Sequence, residues 1–259
     1  MSWPTKIENL RKYVEWECKD IPPDLVLGII KHESGGNPGI LARVKCKCGL
    51  IPTATGDQIQ VCNAMGLMQV IPATVDYYNQ DAAPKDVATF EDMTGNDERA
   101  IRLQIRTGCK FLAFANHYLH QHFPSTVPES SLAHASDDQI ALALTAYAVG
   151  NGATAKKMQA ALDQNVAPTF KNLKRLFPDW GKNAQGQWIN RPLKYGSDVI
   201  SMFKANRSGS YTGSRAGDLV ARATNTIKDN KGGVLALALC LTAAGWAVNH
   251  YYSARRGDQ

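Results

Sequence analysis

The stretch Pro22-Pro23-Asp24-Leu-Val-Leu-Gly-Ile-Ile-Lys-His-Glu33-Ser-Gly-Gly36 decides what kind of protein this chain can be. Asp24 is a candidate N-cap and Gly35-Gly36 a candidate stop, which predicts a helix of about ten residues. Leu25, Val26, Ile29 and Ile30 form its apolar face. Glu33 follows Ile30 by three positions, Ile29 by four and Val26 by seven, so helical geometry puts its carboxylate at the end of that face. Desolvation and the negative pole of a helix C-terminus would both disfavour the charged carboxylate there. A carboxylic acid kept protonated can give its proton to a leaving oxygen, as a glycosidase requires. A carboxylate in that place can equally turn to solvent or accept from the amides of the following turn.

Outward from this helix the working domain reads as mainly α. The segment 97–120 carries Ile101, Ile105, Leu112 and Leu119 on one helical face. Ser136-Asp-Asp-Gln139 has the form of a capping box opening a helix with Ile140, Leu144 and Tyr147 in one stripe. Irregular or β structure is expected only in the Gly- and Cys-containing stretch 38–63.

Two further segments extend the motif. Glu33-Ser-Gly-Gly-Asn-Pro38 is followed by Ala64-Met-Gly-Leu-Met-Gln-Val-Ile-Pro-Ala-Thr74, and together they closely resemble the soluble-type (SLT) lytic transglycosylases, relatives of goose-type lysozyme. Ile105-Arg-Thr-Gly-Cys-Lys-Phe-Leu112 resembles that family's next helix, and Ala146-Tyr-Ala-Val-Gly150 its third motif. Tyr195, in Pro192-Leu-Lys-Tyr-Gly-Ser-Asp-Val199, resembles the closing aromatic. The resemblance covers residues 20–205 and implies a lysozyme-like domain that cleaves peptidoglycan, with Glu33 as sole catalytic acid and base. It implies saccharide contacts from Ser34, Met68, Gln69, Tyr147 and Tyr195, with Tyr147 hydrogen-bonded to Glu33. Ala148 stands where the family usually has Asn, and Asn151 is the candidate replacement.

The resemblance further implies cleavage between N-acetylmuramic acid and N-acetylglucosamine with formation of a 1,6-anhydro ring, and no cofactor. Asp57, the acidic residue in the segment between the motifs, would make the enzyme a hydrolytic muramidase if it reached the groove. A wall-binding or channel protein that kept the fold without the chemistry is the reading from another class.

Cys46, Cys48 and Cys62 fall in one short stretch, while Cys18, Cys109 and Cys240 are scattered. Three local thiols fall one short of the four ligands of a structural zinc, a fourth that Cys18 or His32 could supply. A disulfide from Cys62 to Cys46 or Cys48, or free thiols, are the other readings. Six cysteines are too few for a disulfide scaffold in 259 residues.

The domain organisation is expected to be 1–205 catalytic, 206–231 linker and polar helix, 232–252 transmembrane helix and 253–259 basic tail. The 21 residues from Gly232 to Tyr252 contain no Asp, Glu, Lys or Arg, long enough as a helix to span about 30 Å of hydrocarbon. The net charge of +6 favours acidic partners without choosing among them, and no specific nucleic-acid binding is expected. Met1 to Leu10 lacks the apolar run of a secretory signal. Together these features predict a membrane-associated protein carried in a bacteriophage virion and acting in the bacterial periplasm or envelope, with other virion or secretion-channel proteins as partners.

Overall fold

The computed structural model describes residues 2–42, 50–52, 58–60, 64–83, 86–180 and 191–206. Two short helices, α1 (Thr5–Glu8) and α2 (Arg11–Glu17), lead into α3 (Pro23–Ser34), the helix that carries Glu33. Prolines set where α3 begins. Pro22 is extended, and Pro23 takes the first helical position, where its missing N–H leaves nothing unpaired. Asp24 is therefore not the cap expected from the sequence. It lies one turn position inside, where its carboxylate accepts hydrogen bonds from Trp3 Nε1 at 2.9 Å and Arg11 Nη2 at 2.6 Å. The stop is where the sequence places it: Gly35 is left-handed (φ 59°) and its N–H donates to the Lys31 carbonyl.

α3 is buried over more than one stripe, with Leu25, Val26, Leu27, Ile29 and Ile30 all inaccessible to solvent. It packs against α1, α2 and the last described helix of the domain. Short strands follow. β1 (Leu41–Ala42) and β2 (Leu50–Pro52) pair antiparallel with β4 (Ala64–Met65) and β3 (Gln58–Gln60) respectively. β1, β2 and β3 fall within the stretch 38–63 expected to be irregular or β, and β4 follows just after it. After α4 (Pro72–Asn79) comes the long α5 (Glu98–His122), capped by Asp97, whose side chain accepts from the Ala100 N–H. Ile105, Leu112 and Leu119 are fully buried on it, as their spacing predicts.

α6 (Asp137–Val149) starts at Ser136, whose Oγ accepts from the Gln139 N–H at 3.2 Å. Such a cap contributes about 1 kcal/mol. Gln139 does not complete the box; its buried amide donates to Asn116 Oδ1 at 2.8 Å instead. α6 lies against α5, α7 (Asn151–Leu162), α8 (Phe170–Leu176) and α9 (Arg191–Asn206). Leu119, Leu142, Met158, Leu173 and Leu193 form a second apolar cluster beside the one built on α3.

α2 and α5 are joined in two ways the sequence did not announce. Cys18 and Cys109, 91 positions apart, form a disulfide. Beside it the buried Glu17 carboxylate meets Arg102 Nε and Arg106 Nε, each at 2.6 Å. Desolvation opposes ionisation of Glu17, but hydrogen bonds from Arg106 and then Arg102 outweigh it and hold the carboxyl below its usual range. The thiols of Cys46, Cys48 and Cys62, Asp57, and everything from residue 207 onward, including 232–252, lie outside the described residues. Among the described residues no helix is long and apolar enough to cross a membrane.

Replacing Cys18 and Cys109 together by Ser should lower stability by roughly 2–4 kcal/mol, because the crosslink closes a long loop in the unfolded chain. Thermal unfolding with and without reductant measures this. An unchanged midpoint would mean that Glu17 and packing alone hold α2 to α5.

Candidate active site

The site is built around a turn with few regular partners. Residues 66–69 connect β4 to Val70, with Met65 and Val70 exchanging both backbone hydrogen bonds at 2.9 Å. Gly66 has φ 77°, and a Cβ there would run into the side chain of Gln104, so glycine is required on both counts. Buried peptide groups in such a turn need partners. Gln104, fully buried on α5, supplies one and ties the turn to its surroundings: its Oε1 accepts from Leu67 N–H at 2.8 Å, while Nε2 donates to Met93 O at 2.7 Å and Pro38 O at 3.1 Å. The Ser34 hydroxyl contacts Leu67 O at 2.9 Å and Ile30 O at 3.0 Å, and accepts from Gly36 N–H at 3.1 Å. Tyr147 donates its hydroxyl to Met68 O at 2.7 Å. The end of α3, the turn and the end of α6 are thereby fixed to one another.

Between them lies a groove of about 810 Å³. Half-buried Glu33 stands in its wall with Gln69 and Ile71 from the turn side, Phe111 from α5, Tyr147 and Ala148 from α6, and Tyr195 from α9. Burial, followed by the charge of Glu33, pushes the Tyr147 hydroxyl well above its ordinary pKa. Tyr195 is raised in the same way, by burial first, then by Glu33 and Tyr147. Its Oη makes no hydrogen bond of good geometry among the described residues, but it does interact with the Glu33 carboxylate. Both phenols therefore stay protonated beside that carboxylate.

Several expectations for individual residues change here. Ser34 and Met68 were expected to touch sugar, and neither is in the groove wall. Ser34 is buried with its hydroxyl turned to backbone, because the αL stop after α3 brings it against Leu67. The Met68 side chain is fully buried against α5, where a Cβ on Gly108 would come within 2.5 Å of its sulfur. Tyr147 was expected to bond Glu33 directly; its hydroxyl goes to the Met68 carbonyl instead. Asn151 opens α7 and is not among the groove-wall residues; its buried Oδ1 has no hydrogen-bond partner among the described residues. Gln69 does line the groove, in a left-handed conformation (φ 50°) braced by its own Nε2 on Gly66 O at 3.0 Å.

The sequence also missed a charged rim. His32 Nε2 lies 3.8 Å from Asp198 Oδ2, which Lys194 Nζ contacts at 2.5 Å. The His32 ring meets Tyr195 edge-on, with centroids 4.7 Å apart. Desolvation lowers the His32 pKa, Asp198 partly restores it, and Lys194 lowers it again. Its place next to Glu33 was visible in the sequence, but the α9 residues it meets were not.

Residues 14–169 match the family model described as the Transglycosylase SLT domain, which spans more than half of the chain. The chain belongs to the SLT transglycosylase family. It is an enzyme of the lytic transglycosylase type, and its substrate is peptidoglycan. A comparison with curated proteins found no match. The transglycosylase match ends before α9, although Tyr195, Lys194 and Asp198 of that helix complete the groove.

Ser34→Ala in this transglycosylase should cost about 1–3 kcal/mol, because Leu67 O and Gly36 N–H lose a buried partner. Turnover should fall through displacement of the turn, with KM for glycan little changed. A raised KM with unaltered stability would instead make Ser34 a sugar contact.

Proposed function

We propose that Glu33 alone carries the proton transfers of a non-hydrolytic cleavage of the β-1,4 bond from N-acetylmuramic acid to N-acetylglucosamine. The carboxylic acid gives its proton to the bridging oxygen as the C1–O bond breaks. The muramoyl N-acetyl group meets the charge that develops on C1. The Glu33 carboxylate then takes the proton of the C6 hydroxyl as O6 bonds to C1, closing a 1,6-anhydro ring. No water is consumed, and Glu33 ends in its starting state.

The observation that carries this reading is the setting of Glu33: a half-buried carboxyl in a groove wall beside two protonated phenols. The un-ionised Tyr195 hydroxyl, which interacts with the Glu33 carboxylate, helps to stabilise the anion that exists between the two transfers, while Tyr147 donates its hydrogen bond to the Met68 carbonyl. Asp198, the other carboxylate in the described groove wall, is held by Lys194 and faces His32, which leaves it poorly placed to act as a free nucleophile. It does favour a second reading. If Asp198 oriented a water in place of the C6 hydroxyl, the same acid would drive hydrolysis. The wall residue Ala148 offers no side-chain amide to substrate, so Gln69 is the amide in the described wall available to the sugar.

Digestion of purified peptidoglycan by the full chain tests this. Glu33→Gln should reduce product release by about 10²–10⁴-fold, the usual range for loss of a positioned acid. Anhydro-ended products from the wild type support ring closure. Reducing-ended products would support the Asp198 reading, and undiminished release by Glu33→Gln would remove Glu33 from the chemistry.

The setting we propose is the bacterial envelope, where a Cys18–Cys109 disulfide persists in an oxidising medium. The apolar stretch 232–252 beside a wall-cleaving domain supports membrane association and carriage in a phage particle that opens the wall during genome entry. Mass spectrometry of purified particles should then detect the chain at a fixed copy number. Its absence from every particle preparation would rule that carriage out.

A further inference from the structure

The aromatic residues of α5 do not stop at the groove. Phe111, in the groove wall 5.6 Å from Tyr147, is followed at helical spacing by Phe114, whose ring centroid lies 6.3 Å away. Tyr77 of α4 bridges the two rings, at 6.3 Å from Phe111 and 4.3 Å from Phe114. Phe111, Phe114 and Tyr77 are all half-buried, each keeping part of its ring open to solvent. Phe114 and Tyr77 in turn form the apolar side of a second, shallower hollow of about 320 Å³. Its polar groups come from Asp20, Lys110, His117, Ser130 and Ser131. The two hollows have no lining residue in common, but the neighbouring rings of Phe111 in one and Phe114 and Tyr77 in the other set them side by side.

Single part-exposed rings are ordinary on a surface, but a contiguous run of them beside a polar rim marks a candidate binding face. The rings of Phe and Tyr offer flat apolar area at a low cost in conformational freedom. The polar rim opposite suits hydroxyl and acetamido groups better than a purely apolar partner. Continuity with the groove identifies the occupant. A polymeric glycan held at Glu33 has to leave the groove, and the Phe111–Phe114 wall is a path that keeps it on the protein.

We infer that the hollow between Tyr77 and Phe114 is a distal saccharide subsite, holding a sugar unit of the same glycan strand several residues from the bond that is cut. Its occupant is an N-acetylhexosamine ring lying on Phe114, with its polar groups toward His117 and Ser130. Such a subsite makes the enzyme sensitive to strand length and favours cleavage away from strand ends. This rests on the groove being the glycan-cleaving site.

The test uses the full chain carrying Glu33→Gln, so that nothing turns over, titrated with β-1,4-linked N-acetylglucosamine oligosaccharides of increasing length. Affinity should rise as the oligomer grows past the length that fills the groove. Adding Phe114→Ser should weaken the long oligomer by about five-fold, the scale of one aromatic contact, and leave the short one unchanged. Phe114→Tyr should retain the rise. Equal affinities for the long oligomer with and without Phe114→Ser would overturn the subsite, as would an equal loss at both lengths. A length effect seen only with strands bearing peptide stems would also overturn it, by assigning the hollow to peptide. Wild-type digestion of peptidoglycan is followed in parallel. If no glycan is cleaved, the reading of the groove itself fails; if glycan is cleaved but binding ignores length, only the distal subsite fails.

Discussion

Buried peptide groups in the turn 66–69 must find hydrogen bonds, and side chains from three helices provide them. Gln104 reaches in from α5, Ser34 from the end of α3 and Tyr147 from the end of α6. Leaving such a group unpaired costs about 1–3 kcal/mol, a large share of the stability of any domain. The same bonds set the position of Glu33, one residue before Ser34. A requirement of folding and a requirement of chemistry are met by the same few contacts. This explains why the motif combines a glycine that cannot take a side chain, a methionine locked against Gly108 and a glutamine in a left-handed conformation.

Charge around the groove is arranged with similar economy. Tyr147 and Tyr195 stay protonated because burial and the Glu33 charge both oppose their ionisation. Asp198 is drawn toward Lys194 and His32 at the rim. Glu33 stands beside these two un-ionised phenols, a setting compatible with one residue acting first as acid and then as base. Away from the groove, the disulfide and the Glu17 pairs hold α2 to α5, so the helix that supplies Gln104 and Phe111 rests on a fixed support.

What could be read in the sequence was local. Helical spacing placed Glu33 at the end of an apolar helix, Gly35 at its stop, and Ser136 at the cap of α6. Motif resemblance brought residues 33–38, 64–74 and 147 to one site, and of these Glu33, Ala64, Gln69, Val70, Ile71, Thr74 and Tyr147 line one groove. Atomic direction was not readable. Ser34 and Tyr147 belong to the site, but their hydroxyls bond the turn, and the Met68 side chain packs on α5, since only the packed backbone decides which way a side chain must face. Contacts between distant segments were equally hidden. Cys18 finds Cys109, Glu17 finds Arg102 and Arg106, and His32 finds Asp198 only once the helices have assembled. Asp24 shows a local rule overridden: two prolines moved the helix start, and its carboxylate went to Trp3 and Arg11.

The central claim is that one carboxyl closes a ring in place of adding water, and isotopic labelling addresses it directly. Peptidoglycan digested in water enriched in oxygen-18 should give muramic-acid ends that carry no label and weigh one water less than hydrolysis products. Muramic-acid ends that incorporate one labelled oxygen at C1 from the outset would contradict the account and make the enzyme a hydrolase.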